Sequence, residues 1–252
     1  MKATAFTVED IPLIKPGYDI GKLICEKTGI EEHDIVVVSS TIVSKSENRI
    51  LKLCDINVTH EAQTIAKKNH NDPRFVQAVL DQSEEILLEM PFLLVRMKNG
   101  SICVNAGIDH SNVDGHENIL LLPDSPDESA KRIKETIFTI TGKRVSVVIT
   151  DTNGRAFRMG QTGAAVGIAG IKATRDWRGT TDLFGRILEV KNEAIVDEIA
   201  GFSNILMGEG NGGTPIAIIR GLEMFYEPGT IQELYRPENE DVISKALRYQ
   251  SI

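Results

Sequence analysis

The apolar residues of the chain fall into short runs with two different periods, which predicts a mixture of strands and helices. Continuous apolar runs, rich in valine and isoleucine, predict buried strands at 34–39, 144–149 and 215–219. Apolar residues at helical spacing predict helices at 60–69, 72–89, 125–141 and 192–207, and a short helix that begins in 238–241. Because the two kinds of element do not alternate strictly, the pattern favours an α+β fold over a doubly wound parallel sheet.

Two local signals refine these elements. Asn99-Gly100 separates apolar runs at 92–97 and 101–104, which predicts a hairpin with a type I′ turn. Ser125 and Glu128 have the spacing of a capping box, and Pro126 stands at the first helical position between them. The sequence contains no internal repeat and no low-complexity linker. We therefore expect one unit over 1–252 that has room for two lobes, although the sequence marks no boundary between them.

Composition and charge narrow the class of protein. The chain has 252 residues, of which 41% are hydrophobic and 25% charged, as in ordinary globular proteins. Acidic residues outnumber basic ones by 36 to 28, so the basic stripe typical of a nucleic-acid binder is missing. No segment approaches the roughly 20 apolar residues of a membrane-spanning helix, and the first residues lack an apolar run of signal-peptide length. We expect a cytoplasmic enzyme for a small molecule, with neither nucleic acid nor membrane as partner.

Three segments combine a predicted strand with a polar or glycine-rich turn that carries a carboxylate. They are 103–112 with Asp109, 147–155 with Asp151, and 207–214 with Glu209. Carboxylates that converge from strand ends are typical ligands of Mg²⁺ or Mn²⁺, which prefer oxygen. Taken singly, each carboxylate is better explained as a turn residue or a helix cap, and only the three segments together make a metal site an equal alternative.

The third of these segments is rich in glycine. Gly208, Gly210 and Gly213 satisfy G-x-G-x-x-G, but a helix precedes them and a strand follows, the reverse of a dinucleotide-binding fingerprint. We therefore exclude a Rossmann fold, and the absence of G-x-x-x-x-G-K-[ST] excludes a P-loop fold. Backbone N–H groups of such a turn can still hold phosphates, unless the segment is only a flexible surface loop. Lys45 either reaches a phosphate as a point charge or is a solvated loop lysine.

Five arginines fall within 36 residues of this acidic chain, at positions 155, 158, 175, 178 and 186. Because guanidinium groups bind carboxylates and phosphates through two parallel hydrogen bonds, this density predicts a pocket for an anionic substrate. Structural ion pairs with Asp176 and Asp182 are the alternative.

Four motifs together resemble the coenzyme F-420-0:L-glutamate ligase family. They are Ser39-Ser-Thr-Ile-Val-Ser-Lys45, Asn105-Ala-Gly-Ile-Asp109 with Ser111-Asn112, Asp151-Thr-Asn-Gly-Arg155 with Arg158 and Gly160-Gln-Thr162, and Arg175-Asp-Trp-Arg-Gly-Thr-Thr-Asp182. The resemblance runs in order from about residue 11 to residue 221. It implies a single ligase-like catalytic unit with glycine-rich active-site loops.

The resemblance implies a GTP-dependent amide ligase. Such an enzyme adds L-glutamate to the phospholactyl carboxylate of a deazaflavin precursor and then adds a second, γ-linked glutamate. An acyl phosphate would be the intermediate, with GDP and phosphate released. The resemblance also implies Mg²⁺ or Mn²⁺, with two ions expected, assistance from K⁺, and an intertwined homodimer with the site near its interface.

The resemblance assigns residues by motif. The expected metal ligands are Asp109, Asp151, Thr152 and Glu209. The expected GTP-binding residues are Ile11, Pro12, Leu13, Ile14, Ser40, Thr41, Lys45, Asn112, Met207, Gly208, Glu209, Gly210, Asn211, Gly212, Gly213 and Thr214. Lys45 is also expected to assist the reaction, and our hypothesis is that Arg155, Arg158 and Arg178 clamp the anionic acceptor or the incoming glutamate.

Two positions depart from the motifs. Asn153 stands where the resemblance leads us to expect an aromatic residue, and Gly163 where it leads us to expect an acid. A paralogous amide ligase acting on another carboxylate is therefore an alternative. A non-catalytic nucleotide-binding protein is a second, and a dinucleotide oxidoreductase a third that the reversed glycine context disfavours.

Overall fold

The computed structural model describes residues 2–222 and 225–250, which form two compact units. Unit 1 takes in the described residues up to 43 and from 125 to 234, and unit 2 those from 44 to 124 and from 235 onward. The helices are α1 (Ile20–Lys27), α2 (Ser40–Ser46), α3 (His60–Asn69), α4 (Pro73–Gln82), α5 (Pro126–Thr141), α6 (Ile195–Met207) and α7 (Val242–Gln250).

The strands are short except for one long pair. They are β1 (Thr4–Thr7), β2 (Ile35–Ser39), β3 (Ile50–Lys52), β4 (Ser83–Leu88), β5 (Leu94–Met97), β6 (Ile102–Val104), β7 (Asn118–Leu120), β8 (Ser146–Arg155), β9 (Arg158–Ala169), β10 (Arg175–Asp176), β11 (Asn192–Glu193) and β12 (Ile216–Arg220). The described residues thus mix helices with several sheets, which confirms the α+β prediction.

Unit 1 is built on a five-stranded sheet in the order β1-β12-β2-β8-β9. Strands β2 and β8 run parallel, and the other neighbours are antiparallel. Helices α1 and α5 bury the sheet face that carries Val36 and Val38, while α6 packs against β8, β9 and β12. Because successive strand residues point to opposite faces, burial on both faces explains why β2 is a continuous apolar run.

Unit 2 has a hydrophobic core of its own. Helices α3 and α4 pack against each other and enclose residues from a three-stranded sheet, β4-β5-β6, and from the two-stranded β3-β7. Helix α7 is held to β4 by Arg248, whose guanidinium contacts both carboxylate oxygens of Glu85 at 2.6 and 2.7 Å. Among the described residues no helix combines the length and the apolar character that crossing a membrane requires.

The helix predicted over 72–89 is wrong in its second half. Helix α4 ends at Gln82, and 83–88 form strand β4, which pairs with β5. The Ser83 backbone is extended, and its hydroxyl donates to the Val79 carbonyl at the helix end. The apolar run 86–88 is too short to distinguish helical from strand periodicity. Its pairing with β5, which follows it in sequence, makes it a strand.

The hairpin at Asn99-Gly100 is present, but the turn is not type I′. Gly100 has φ 88°, whereas Asn99 is not among the residues with positive φ. Gly100 N–H donates to Met97 O, and Met97 N–H donates to Ser101 O. This pattern is a type I turn followed by a glycine bulge, which needs only one left-handed residue.

The capping box at Ser125 does not form, although α5 begins at Pro126 as expected. The Ser125 side chain makes no capping hydrogen bond. The carboxylate of Asp127, in the first turn, instead accepts the backbone N–H groups of Ile168 and Ile231. The first turn therefore anchors β9 and the segment at Ile231 to the helix.

The strand predicted at 144–149 is longer than expected. Strand β8 continues to Arg155 and forms a hairpin with β9, which the sequence analysis did not predict. Asp151 and Thr152 therefore lie within a paired strand and not in the turn that the sequence suggested.

Candidate functional site

One edge of the five-stranded sheet collects most of the expected site residues of unit 1. Ser39 pairs with Thr150 in the parallel register of β2 and β8. Strand β12 runs antiparallel to β2, so it begins at this edge, where Ser39 N–H donates to Pro215 O over 2.9 Å. Val8 N–H donates to Ile216 O, so the chain also leaves β1 here. Segments 11–14, 40–41, 151–152 and 207–214 consequently start from the same edge.

Ser40 and Asp151 form the first contact at this edge. The Ser40 hydroxyl donates to Asp151 Oδ1 over 2.7 Å, and Ser40 is only 3% exposed. Ser40 opens helix α2, which begins in unit 1 and ends in unit 2. The turn from β2 into α2 thus fixes the direction of one candidate metal ligand.

Thr152 and Glu209 form the second contact, and Asn204 joins them. The Thr152 hydroxyl donates to Glu209 Oε1 over 2.7 Å. The amide nitrogen of Asn204 donates to the same carboxylate oxygen and also lies 3.4 Å from the Thr152 hydroxyl. The sequence analysis did not predict a role for Asn204. The available signal was its position, one helical turn before the glycine-rich segment that follows α6.

The glycine-rich segment 207–214 is closed on itself. Thr214 donates its hydroxyl hydrogen to Met207 O over 3.1 Å, and Gly208 N–H donates to Asn204 O over 2.9 Å. Gly208 and Gly213 have φ near 70°, the left-handed region that favours glycine. A Cβ at Gly208, Gly210 or Gly213 would meet nothing within 4 Å, so the segment is open to a ligand.

Segment 11–14 has both buried and exposed members. Ile14 belongs to the core of unit 1, whereas Leu13 is 86% exposed. Since the Ile14 side chain is committed to packing, any contact it makes with a nucleotide would come from its backbone.

Unit 2 carries the remaining expected ligands, Lys45, Asp109 and Asn112. Burial lowers the pKa of the Lys45 ammonium, and the charge of Asp109 opposes that effect. Ser111 donates to both Asp109 oxygens, from its backbone N–H at 2.7 Å and from its hydroxyl at 2.5 Å. The charges of Lys45 and Asp109 therefore interact within unit 2.

The backbone around Asp109 is unusual. Asn105, Ala106 and Gly107 all have positive φ, and Asn112 has φ 53°. A Cβ on Gly107 would lie 2.5 Å from the Leu122 side chain, so a larger residue there would force Leu122 to move. The main chain of Asp109 is fixed by paired hydrogen bonds with Leu120. The motif thus holds this carboxylate on a rigid turn.

The arginines have separate environments. Arg155 donates to Met159 O within the β8–β9 hairpin. Arg158 is the cross-strand neighbour of Arg155 at the end of this hairpin. Arg178 contacts Asp176 at 2.6 Å and lowers the pKa of that carboxyl to about 2. Arg178 therefore forms the structural ion pair with Asp176 that was the alternative to a substrate clamp. The clamp role of Arg155, Arg158 and Arg178 stays a prediction.

The expected metal ligands form separate groups. Asp151 and Thr152 are consecutive on β8, so their side chains leave opposite faces of the strand, the first toward Ser40 and the second toward Glu209. Among the described residues no group of three or more His, Cys, Asp or Glu side chains is arranged to hold a metal ion. The Thr152 and Glu209 oxygens are nevertheless the donor type that a hard cation prefers.

Gly163, where an acid was expected, lies opposite Thr152 in the β8–β9 register. A Cβ at this position would lie 2.5 Å from the carbonyl oxygen of Ala200 in α6 and 3.1 Å from Asn204 Cβ. The close approach of α6 therefore leaves no space for a side chain at Gly163.

Comparison with known proteins places these observations in a family. The model of the F420-0:Gamma-glutamyl ligase family matches residues 9–221. The chain is 51% identical over 251 residues to the coenzyme F420:L-glutamate ligase of Methanosarcina mazei, covering 98% of both chains. It is 50% identical over 248 residues to that of Archaeoglobus fulgidus, covering 98% of this chain and 99% of the relative. It is 44% identical over 249 residues to that of Haloarcula marismortui, covering 96% of each.

Proposed function

The chain belongs to the F420-0:gamma-glutamyl ligase family, and we propose that it joins L-glutamate to the phospholactyl carboxylate of the deazaflavin coenzyme F420 precursor. The observation that carries this proposal is a sequence identity of about one half over nearly the whole length of relatives named coenzyme F420:L-glutamate ligase. We further propose that GTP drives the reaction, that GDP and phosphate are released, and that a second, γ-linked glutamate follows the first.

The chemistry needs an activated carboxylate, because a carboxylate ion is a poor electrophile. In the proposed sequence, an oxygen of the acceptor carboxylate attacks the γ-phosphorus of GTP, forming an acyl phosphate and releasing GDP. The α-amino group of glutamate then attacks the acyl carbon, loses a proton, and displaces phosphate. Phosphoryl transfer depends on positioning and on stabilising charge more than on covalent help from the protein.

The nucleotide would be held largely by backbone. Segment 207–214 is open on the side of its glycines and closed by Thr214 and Met207, which suits N–H contacts to phosphate oxygens. We assign the same ligand to 11–14, to Ser40 and Thr41, and in unit 2 to Lys45 and Asn112. A half-buried ammonium such as that of Lys45 would add a positive charge for phosphate.

Two divalent cations, Mg²⁺ or Mn²⁺, agree better with the geometry than one. Thr152 and Glu209 already contact each other, whereas Asp151 leaves the opposite face of β8. We assign Thr152 and Glu209 to one ion and Asp151 to a second, keep Asp109 of unit 2 as a further metal ligand, and propose K⁺ as an additional activator. When bound, such cations would neutralise phosphate charge during transfer.

Self-association is the remaining part of the proposal. Phe157 and Met159 at the end of the β8–β9 hairpin are 96% and 97% exposed, and Leu183 and Phe184 are 99% and 88% exposed. Apolar surface of this kind is typical of a protein interface. We propose a homodimer, and sedimentation of the wild type against a Leu183→Asp, Phe184→Asp double variant tests it. A monomeric wild type would contradict it.

An amide ligase for a different carboxylate is the alternative that one observation favours. Gly163 has no room for the acid that the resemblance expects, so the surface near Thr152 carries one negative charge fewer. A non-catalytic nucleotide-binding protein would not need the carboxylates at Asp109, Asp151 and Glu209.

The test is direct. The purified protein is incubated with GTP, Mn²⁺, L-glutamate and the phospholactyl deazaflavin, and the products are followed by mass spectrometry. We expect mass increases of one and then two glutamyl residues with matching release of GDP, and we expect an Asp151→Asn variant with an unchanged circular dichroism spectrum to be inactive. Absence of product while GTP is still bound would refute the acceptor and favour the paralogous ligase. Absence of GTP binding would refute the nucleotide as well.

A further inference from the structure

Helix α6 approaches the β8–β9 hairpin unusually closely at one level. Gly163 lies against Ala200 and Asn204, and a Cβ on Gly201 would meet the Thr162 hydroxyl oxygen at 3.2 Å. Thr152 is the cross-strand partner of Gly163, so this is also the level of the Thr152–Glu209 contact. Because Gly163 in β9 and Gly201 in α6 allow this close approach, the Asn204 side chain reaches both Thr152 and Glu209.

We propose that Asn204 is a positioning residue that fixes the glycine-rich segment onto strand β8 and so presets the nucleotide site. Its consequence for nucleotide binding rests on the proposed function, whereas its consequence for the mobility of the segment does not. Asn204 has no place among the motifs that carry the family resemblance, and it makes its contacts through Thr152 and Glu209 and not through a substrate.

Asn204 holds the segment at two points. Its backbone carbonyl accepts the N–H of Gly208, and its side-chain amide donates to the carboxylate of Glu209, the next residue. A carboxylate only accepts hydrogen bonds, so the amide must present its nitrogen to Glu209. The Thr152 hydroxyl donates to the same oxygen, which directs both donors to one point.

The contacts of Asn204 restrict a segment that its glycines would otherwise leave flexible. The segment around Gly208, Gly210 and Gly213 has few side chains with which to pack, and glycine loses more conformational freedom on ordering than other residues. A segment already held at Glu209 loses less freedom when a ligand orders it, so binding is tighter and the bound geometry more uniform. Releasing Asn204 should therefore weaken nucleotide binding without removing any group that touches the nucleotide.

The experiment compares Asn204→Ala, Asn204→Asp and Asn204→Gln with the wild type. The control is Ile205→Ala, which alters the neighbouring position of the same helix, where the side chain is 79% exposed. Millisecond hydrogen exchange by mass spectrometry follows peptides that cover 207–214 without any ligand. Titration with a fluorescent GDP analogue measures affinity, and thermal unfolding identifies variants that are globally destabilised.

We expect exchange in 207–214 to be about tenfold faster in Asn204→Ala and faster still in Asn204→Asp, where a second carboxylate repels Glu209. Asn204→Gln retains the donor and should recover part of the protection, while Ile205→Ala should match the wild type. Affinity for the analogue should fall by about tenfold in Asn204→Ala, in the same order among the variants.

Equal exchange in the wild type and Asn204→Ala at equal thermal stability would overturn the proposal. A uniform loss of thermal stability with no graded order among Ala, Asp and Gln would also overturn it, because that outcome means a general packing role. If exchange changes as expected but the wild type does not bind the analogue, the positioning role stands and the proposed nucleotide fails.

Discussion

The hydroxyl of Thr152 donates a 2.7 Å hydrogen bond to Glu209 Oε1, which joins two residues 57 positions apart. Thr152 belongs to a rigid paired strand, and Glu209 to a segment whose glycines give it little stiffness of its own. The strand therefore sets the position of the glycine-rich segment.

Replacing Glu209 by glutamine separates charge from position. Glutamine retains a side-chain oxygen that accepts from Thr152 but has no negative charge. Under the proposed function we expect Glu209→Gln to lower kcat/KM by about 100-fold, because a divalent cation would lose a charged ligand. Steady-state kinetics at several Mn²⁺ concentrations measures this, and full activity of the variant would show that only the hydrogen bond matters.

Ser40→Ala tests the contact at the sheet edge. The variant removes the 2.7 Å hydrogen bond to Asp151 in a nearly buried position. We expect about 1 kcal/mol less unfolding free energy and about a tenfold lower kcat, since Asp151 then loses its fixed direction. Chemical denaturation and product formation give the two values. Ser40→Thr keeps the hydroxyl and should be less affected in both.

Gly163→Ala tests the close approach of α6. The added Cβ would lie 2.5 Å from the Ala200 carbonyl oxygen, which is backbone and cannot move independently. We expect a loss of about 2 kcal/mol or more in unfolding free energy. Gly154→Ala is the matched control in the same hairpin, because its Cβ would meet nothing within 4 Å. Equal stability of the two variants would contradict the packing argument.

Arg220→Met tests a buried charge in unit 1. Arg220 contacts both oxygens of Asp34 at 2.8 Å, and the Asp34 side chain is 0% exposed. Removing the guanidinium leaves a buried carboxylate without its positive partner, so we expect a loss of about 3–5 kcal/mol in unfolding free energy. The Arg220→Met, Asp34→Asn double variant should recover a large part of that loss. A double variant no better than the single would refute this explanation.

Asp197→Asn tests a pH dependence. Burial raises the pKa of Asp197 above its ordinary value, although an N–H from Ala165 partly opposes the shift. Because the folded-state pKa is the higher one, the ionised carboxylate costs stability above that pKa, and the cost disappears as the pH falls toward the ordinary value. The stability of the Asp197→Asn variant relative to the wild type should therefore increase from about pH 3 to pH 7. Urea unfolding across that range measures the difference; a decrease would mean that the ionised form is favoured.

Some secondary-structure elements and motifs of this protein can be predicted from local sequence alone. Helix α3 has the predicted bounds 60–69, and the strand predicted at 34–39 is β2 with a one-residue shift. These elements are decided by contacts within a few residues: apolar spacing, a capping threonine at position 59, and a buried run of valines. The motifs with Asp109, Asp151 and Glu209 could also be located from the sequence, because the residues of each motif are contiguous in the chain.

Other features were decided only by tertiary structure. The apolar run at 86–88 became a strand because β5 pairs with it, and β8 continued through Asp151 because β9 supplies its hydrogen bonds. Thr152 came to face Glu209 and Asn204 because strand geometry turns it away from Asp151, and Gly163 allows α6 to approach. These outcomes depend on partners tens of residues away, and the periodicity of one segment carries no information about them.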